Sequence, residues 1–146
     1  MVSQTGGRLE AVDVGSWRTR ASMRPERRLK TTYDTVADLI DRFGPDAVAI
    51  EESFVGADAR TALSVGQARG AVLVAAANAG VVCAEYAPAH VKRAVCGYGR
   101  AEKAQVQRMV QAMLGLKELP ASNHEADALA VAICHAMAPP LMQAAG

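Results

Sequence analysis

Near the end of the chain, a histidine and an aspartate stand where an otherwise apolar helix is predicted to begin. His124 and Asp127 are three positions apart, so they would share one face of that helix. Ser122 followed by Glu125 is a capping-box pattern, which predicts a helix start just before His124. A polar pair beside the uncharged run from Ala128 to Ile133 costs free energy unless something binds it. The pair therefore suggests a metal site, although His124 alone could be a general base or a capped surface histidine.

A glutamate at the end of a predicted strand could complete this site. The apolar run from Ala47 to Ile50 is typical of a buried strand and ends directly in Glu51. Open α/β sheets bind ligands at the carboxyl ends of their strands, although Glu51 alone could simply be an exposed carboxylate. With His124 and Asp127 it makes two carboxylates and an imidazole, which suit Mg²⁺ or Mn²⁺. Two such ions could activate a water and stabilise the leaving oxygen of a phosphodiester.

Basic and aromatic side chains suggest contacts with phosphates and bases. The loop Gly97-Tyr98-Gly99 precedes Arg100 and Lys103 and offers backbone amides and cations, although a Gly-x-Gly pattern alone is a weak signal. Phe54 follows the carboxylate strand and is either a core residue or an exposed wedge that stacks on a base, and we favour the wedge. The basic stretch from Arg18 to Lys30 could contact phosphates or could simply be solvated surface, and the two interpretations have about equal weight.

Composition restricts the class of protein. The length of 146 residues suits one domain with a buried core, and we predict a single domain over 1–146. A hydrophobic content of 51% is typical of a soluble globular protein, and a net charge of +1 does not by itself indicate nucleic-acid binding. The three cysteines lack C-x-x-C spacing, which favours free thiols in a reducing compartment. Since the sequence has neither a bilayer-length apolar run nor a signal-peptide core, we predict a cytoplasmic protein without a membrane partner.

Helical and strand patterns alternate along the chain, which predicts an α/β layer with parallel strands. Strand patterns cover Arg8–Arg20, Ala47–Ile50 and Val81–Tyr86. Helical patterns cover Arg27–Phe43, Asp58–Ala79, Pro88–Val95, Ala101–Leu114 and Asn123–Met137.

A series of motifs in one order along the chain carries a family resemblance. The motifs are Ala49–Phe54, Ala62–Gly70, Glu85–Pro88, Val91-Lys92, Gly97–Gly99 with Lys103, and Ala126–Ala130. From about Met1 to His135 the sequence resembles the RuvC Holliday-junction resolvases. The resemblance implies a ribonuclease-H-like α/β fold, with a mixed sheet flanked by helices. It also implies a bacterial homodimer that resolves four-way DNA junctions by Mg²⁺-dependent symmetric nicking in recombination and repair, with the RuvA–RuvB branch-migration complex as partner.

The same resemblance assigns roles to individual residues. It places Glu51 and Asp127 on catalytic metal-binding carboxylates, and His124 on a position that is acidic in some members and histidine in others. The positions expected to face the DNA are Phe54, Lys92, Lys103 and Arg100. The long helix Asp58–Ala79 matches the element that supplies much of the dimer contact.

One feature of the family is not found in this sequence. The family begins with a strand that ends in Asp-Pro-Gly, whose aspartate bridges the metals, and no Asp-Pro-Gly occurs here. We therefore expect the first, central strand, most of the second strand and one of four metal ligands to be missing. We favour a natural protein that begins upstream and is an active endonuclease. The alternatives are a catalytically impaired DNA-binding or dimerisation module of the family, and an unrelated metal-dependent phosphoesterase.

Overall fold

Two compact units make up the part of the chain that the computed structural model describes, residues 1–52 and 59–139. The first unit contains Met1–Ser16, Ala49–Glu52 and residues 84–139. The second contains Trp17–Val48 and residues 59–83. None of the described helices is long and apolar enough to cross a membrane.

The first unit begins with a β-hairpin. Strands β1 (Val2–Thr5) and β2 (Arg8–Ala11) pair antiparallel, with Val2 opposite Ala11. Gly6 and Gly7 connect them with φ values of 58° and 82°, the backbone that a tight two-residue hairpin turn requires. The structure does not confirm the expected loss of the first strand and most of the second.

The predicted strand from Arg8 to Arg20 is too long. It ends at Ala11, and the alternating apolar residues beyond it (Val12, Val14 and Trp17) are exposed. Alternation predicts a strand only where one face is buried, and these side chains have no such face. Conversely, β1 has the sequence Val-Ser-Gln-Thr, which lacks an apolar pattern and was not predicted as a complete strand.

A second small sheet carries the strand that ends in the candidate glutamate. It consists of β3 (Ala47–Glu51) and β4 (Val82–Tyr86), and just past β3 the amide of Glu52 donates to the carbonyl oxygen of Tyr86 at 2.9 Å. Within the described residues, the strands thus form two two-stranded sheets and not one mixed sheet. A larger sheet needs a hydrogen-bonded ladder between the pairs, and β1 is bonded along its length to β2 alone.

Three helices complete the first unit. They are α3 (Pro88–Cys96), α4 (Lys103–Leu114) and α5 (Asn123–Met137), and both α3 and α4 pack against α5. The core contains Val95, Val110, Leu129 and Ile133. In the uncharged run of the last helix, Leu129, Ala130, Val131 and Ile133 are buried, whereas Ala128 is exposed.

The second unit is built on two helices that pack against each other. They are α1 (Pro25–Phe43) and α2 (Ala59–Asn78), with Val36, Ile40, Ala75 and Ala76 buried in their core. The helix α1 starts earlier than predicted because Pro25 occupies its first turn, where a missing N–H and a fixed φ are favourable.

Candidate functional site

The carboxyl groups of Glu51 and Asp127 interact electrostatically within the first unit. Glu51 is the last residue of β3, and Asp127 is half-buried near the start of α5. Glu51 is exposed as a whole residue, yet burial of its carboxyl group raises its pKa, and the charge of Asp127 raises it further. Lys92 on α3 acts in the opposite direction. Two acidic groups and one basic group from three elements thus interact electrostatically here, in line with the predicted grouping of Glu51 with Asp127.

The first turn of α5 is held by its cap. The Oγ of Ser122 accepts from the amide of Glu125 at 3.2 Å, as the capping-box pattern predicts. The returning bond is displaced by one residue, because Oε2 of Glu125 accepts from the amide of Ala121 at 3.0 Å. These bonds fix the turn that contains His124 and leads into Asp127.

His124 is less integrated into the site than the two carboxylates. It is exposed in the first turn of α5. Among residues 1–52 and 59–139, no three histidine, cysteine, aspartate or glutamate side chains form a group that could hold a metal. The structure therefore brings together two of the three predicted ligands but does not gather all three into a preformed cluster.

The carboxyl groups of Glu51 and Asp127, both partly shielded from water, nevertheless fit a divalent cation. Mg²⁺ is commonly held by one or two carboxylates, and waters and substrate phosphates fill its remaining positions. The raised pKa of Glu51 indicates that its charged form lacks compensation, which a bound cation would supply. The carboxylates of Glu51 and Asp127 are thus suitable ligands for Mg²⁺ or Mn²⁺. His124 lies near Asp127 at the start of α5 and offers a further ligand.

The predicted DNA-facing residues lie on α3, on α4 and in the connection between them. Lys92 is half-buried on α3, Arg100 is exposed in the connection, and Lys103 is exposed at the first position of α4. Phe54 lies outside the described residues.

The glycines of this connection are explained by backbone geometry. Gly97 ends α3 with a φ of 84°, and its amide donates to the carbonyl oxygen of Arg93. A Cβ at Gly99 would lie 3.0 Å from the carbonyl oxygen of Ala89, so a side chain there would displace the backbone. A phosphate-binding role is not needed to account for either glycine.

Sequence reasoning missed one residue near the site, Tyr86. It is buried at the end of β4, and its hydroxyl is 2.8 Å from Nδ1 of His135. Its ring makes edge contacts with His90 and His135. The last residue of an apolar strand looks like an ordinary core position, and only the structure shows these partners. His135 is half-buried, and burial lowers its pKa, in agreement with the structural role that its helix position suggests.

Comparison with known proteins identifies the family. The family model for "Crossover junction endodeoxyribonuclease RuvC" matches residues 1–135. The chain belongs to the RuvC family. The RuvC enzyme of Moorella thermoacetica is 50% identical over 143 residues, which cover 98% of this chain and 86% of the relative. That of Chloroflexus aggregans is 48% identical over 146 residues, covering 100% of this chain and 89% of the relative. The resemblance seen in the sequence motifs is thereby confirmed.

Solved RuvC structures share the fold. The structure of Thermus thermophilus RuvC superposes with a TM-score of 0.84 at 40% identity, covering 93% of this chain and 82% of that chain. The same enzyme in complex with a Holliday-junction substrate gives a TM-score of 0.84 at 38% identity, covering 92% and 82%. The α/β fold predicted from the sequence is therefore that of RuvC.

Proposed function

We propose that this protein resolves four-way DNA junctions as a structure-specific endonuclease, by symmetric nicking during recombination and repair. The observation that carries the proposal is the RuvC family match over residues 1–135. Relatives that are about half identical to it over the aligned residues are named crossover junction endodeoxyribonucleases. The T. thermophilus RuvC that it resembles is bound to a Holliday junction. By the same analogy we assign a ribonuclease-H-like fold and a single nuclease domain to the chain.

The cleavage centre in this proposal contains Glu51, Asp127 and His124. Glu51, Asp127 and His124 would be the protein ligands of the metal, which is Mg²⁺ or Mn²⁺. We expect two such ions in the complete site. The bound ions would activate a water for in-line attack and stabilise the leaving oxygen. Lys92 partly offsets the rise in the pKa of Glu51, which favours the charged form of that carboxyl as a ligand.

The basic residues of α3, the connection and α4 would contact the DNA backbone. Lys92, Arg100 and Lys103 are proposed phosphate contacts, and Phe54 is the proposed wedge at the junction. A lysine at the first position of a helix opposes the helix dipole, and the acidic N-cap residue Glu102 directly before Lys103 partly offsets it.

Symmetric cleavage requires two sites, so we propose a homodimer. A four-way junction has approximate two-fold symmetry, and a two-fold dimer presents two equivalent centres. On α2, Leu63 is exposed, and Gly66, three positions later on the same face, has no atom within 4 Å of the position that a Cβ would take. This surface would allow close approach of a second helix. We further propose the RuvA–RuvB complex as partner and the bacterial cytoplasm as location.

A junction-cleavage assay tests the proposed function. The 146-residue chain is incubated with a four-way junction and with a linear duplex of the same arm sequences, in Mg²⁺ or Mn²⁺. We expect paired nicks at symmetric positions of two opposing strands. Binding without nicks would support the impaired binding module, and equal cleavage of linear DNA would support a general phosphoesterase. Ordinary nicking by this chain would also show that an Asp-Pro-Gly aspartate is not required.

A further inference from the structure

Tyr86 contacts all three parts of the chain that carry the candidate site, through two hydrogen bonds and one ring contact. Its carbonyl oxygen accepts from the amide of Glu52, 2.9 Å away, immediately after β3. Its hydroxyl lies 2.8 Å from Nδ1 of His135 on α5. Its ring packs edge-on against His90 on α3, with the ring centroids 5.6 Å apart.

These three elements each carry one of the interacting charges. Glu51 is the residue before Glu52 on β3, Lys92 lies two positions after His90 on α3, and Asp127 lies two turns before His135 on α5. Tyr86 itself is only 3% exposed, so its position is fixed by packing. A displacement of α5 along its axis would therefore break the Tyr86–His135 bond and change the separation of Asp127 from Glu51.

We propose that Tyr86 is a positioning residue of the cleavage centre, which sets α5 against the end of β3 through its hydroxyl bond to His135 so that Glu51 and Asp127 share a cation. The inference rests on the proposed function, because it assigns Tyr86 a role in that same site. If the Tyr86 ring served only to fill the core, its carbon atoms would suffice and the hydroxyl would not be needed. The hydroxyl adds to the packing of α5 a directional contact with a single residue of that helix, which sets its position along its axis.

Tyr86→Phe removes this bond and keeps the ring contacts. Tyr33→Phe is the matched control, because the hydroxyl of Tyr33 accepts from Nδ2 of Asn78 at 2.9 Å in the other unit. Mn²⁺ affinity is measured for each protein by electron paramagnetic resonance without DNA, well below the melting temperature. Junction affinity is measured without metal, and the melting temperature is recorded in parallel.

We expect Tyr86→Phe to weaken Mn²⁺ binding about fivefold, which is the order of one net hydrogen bond, with junction affinity unchanged. Tyr33→Phe removes an exposed hydroxyl bond, so it should lower the melting temperature by no more than Tyr86→Phe does, and it should leave Mn²⁺ affinity within about twofold. Unchanged Mn²⁺ affinity in Tyr86→Phe, or equal losses in both variants, overturns the positioning role. Glu51→Gln separates the two levels. If Glu51→Gln abolishes Mn²⁺ binding while Tyr86→Phe leaves Mn²⁺ affinity unchanged, only the positioning role fails, and if Glu51→Gln changes nothing, the metal site fails as well.

A double-mutant cycle identifies the bond as the cause. His135→Leu removes the partner of the Tyr86 hydroxyl. The double variant Tyr86→Phe/His135→Leu should have the same Mn²⁺ affinity as whichever single variant binds Mn²⁺ less tightly. Additive losses would mean that the two residues act separately, which contradicts the proposed register bond.

Discussion

Asp127 on α5 raises the pKa of Glu51 at the end of β3, although burial of the Glu51 carboxyl is the larger cause. Lys92 on α3 partly offsets both effects. Without a cation the charge of Asp127 opposes the ionisation of Glu51, so the arrangement costs folding free energy. Active sites commonly carry such a cost because ligand binding needs groups that folding alone would not select.

The first prediction concerns cleavage by Glu51→Gln. The amide keeps the shape of the side chain but loses the charge that attracts a divalent cation, so nicking of a four-way junction should fall by at least about a hundredfold. Junction binding without metal should remain within about twofold, because phosphate contacts supply that affinity. The assays are junction nicking and gel mobility shift.

Glu52→Gln is the matched control for this prediction, because Glu52 is the exposed neighbour immediately after β3. It should cleave like the wild type. An equal loss of cleavage in both variants, or an equal loss of binding and cleavage in Glu51→Gln, would contradict the metal-ligand role.

The second prediction concerns the stability of Glu51→Gln as a function of pH. A carboxyl whose pKa rises on folding binds its proton more tightly in the folded state, so the folded state loses stability as the pH rises through that pKa. Because the pKa of Glu51 is raised from its ordinary value of 4.5, this penalty is absent well below pH 4.5 and grows as the pH rises above it. Glu51→Gln should therefore have a higher free energy of unfolding than the wild type at neutral pH, and the gain should vanish in acid.

Urea denaturation without divalent cations measures this difference. Adding Mg²⁺ at neutral pH should stabilise the wild type and not Glu51→Gln. A cation shifts the unfolding equilibrium of a protein whose folded state binds it, and Glu51→Gln lacks the ligand. A metal-free Glu51→Gln protein that is less stable than the wild type at neutral pH would show that the Glu51 charge is compensated within the fold.

Much of the fold could be predicted from local patterns, and the site only in part. The start of α5 follows from Ser122 and Glu125, and β3 from four apolar residues before Glu51, because caps and burial act over short distances. The hairpin strand β1 is polar, so its pairing with β2 left no signal in its own sequence. The Tyr86–His135 bond joins residues far apart in the chain, and neither residue has a local feature that indicates it.

The third prediction concerns Lys103 at the first position of α4. Lys103→Ala should remove one phosphate contact, so the slope of log affinity against log salt for junction binding should become shallower by about one. The same change should stabilise α4 by about 0.3–1 kcal/mol, since it removes a cation from the positive end of the helix dipole. Lys117→Ala, at an exposed lysine after α4, is the control and should leave the salt slope unchanged. A parallel loss of stability and affinity in Lys103→Ala would indicate a structural role.

The fourth prediction concerns the cap of α5. Ser122→Ala removes the acceptor of the Glu125 amide and should lower the free energy of unfolding by about 1 kcal/mol. Fraying of this turn would loosen His124 and Asp127 together, so the Mg²⁺ concentration for half-maximal nicking should rise while the rate at saturating Mg²⁺ is retained. Ser16→Ala, at an exposed serine outside the helices and strands, should change neither quantity. If Ser122→Ala lowers stability but leaves the Mg²⁺ dependence unaltered, the first turn of α5 does not hold the ion, and the metal ligands must be sought elsewhere.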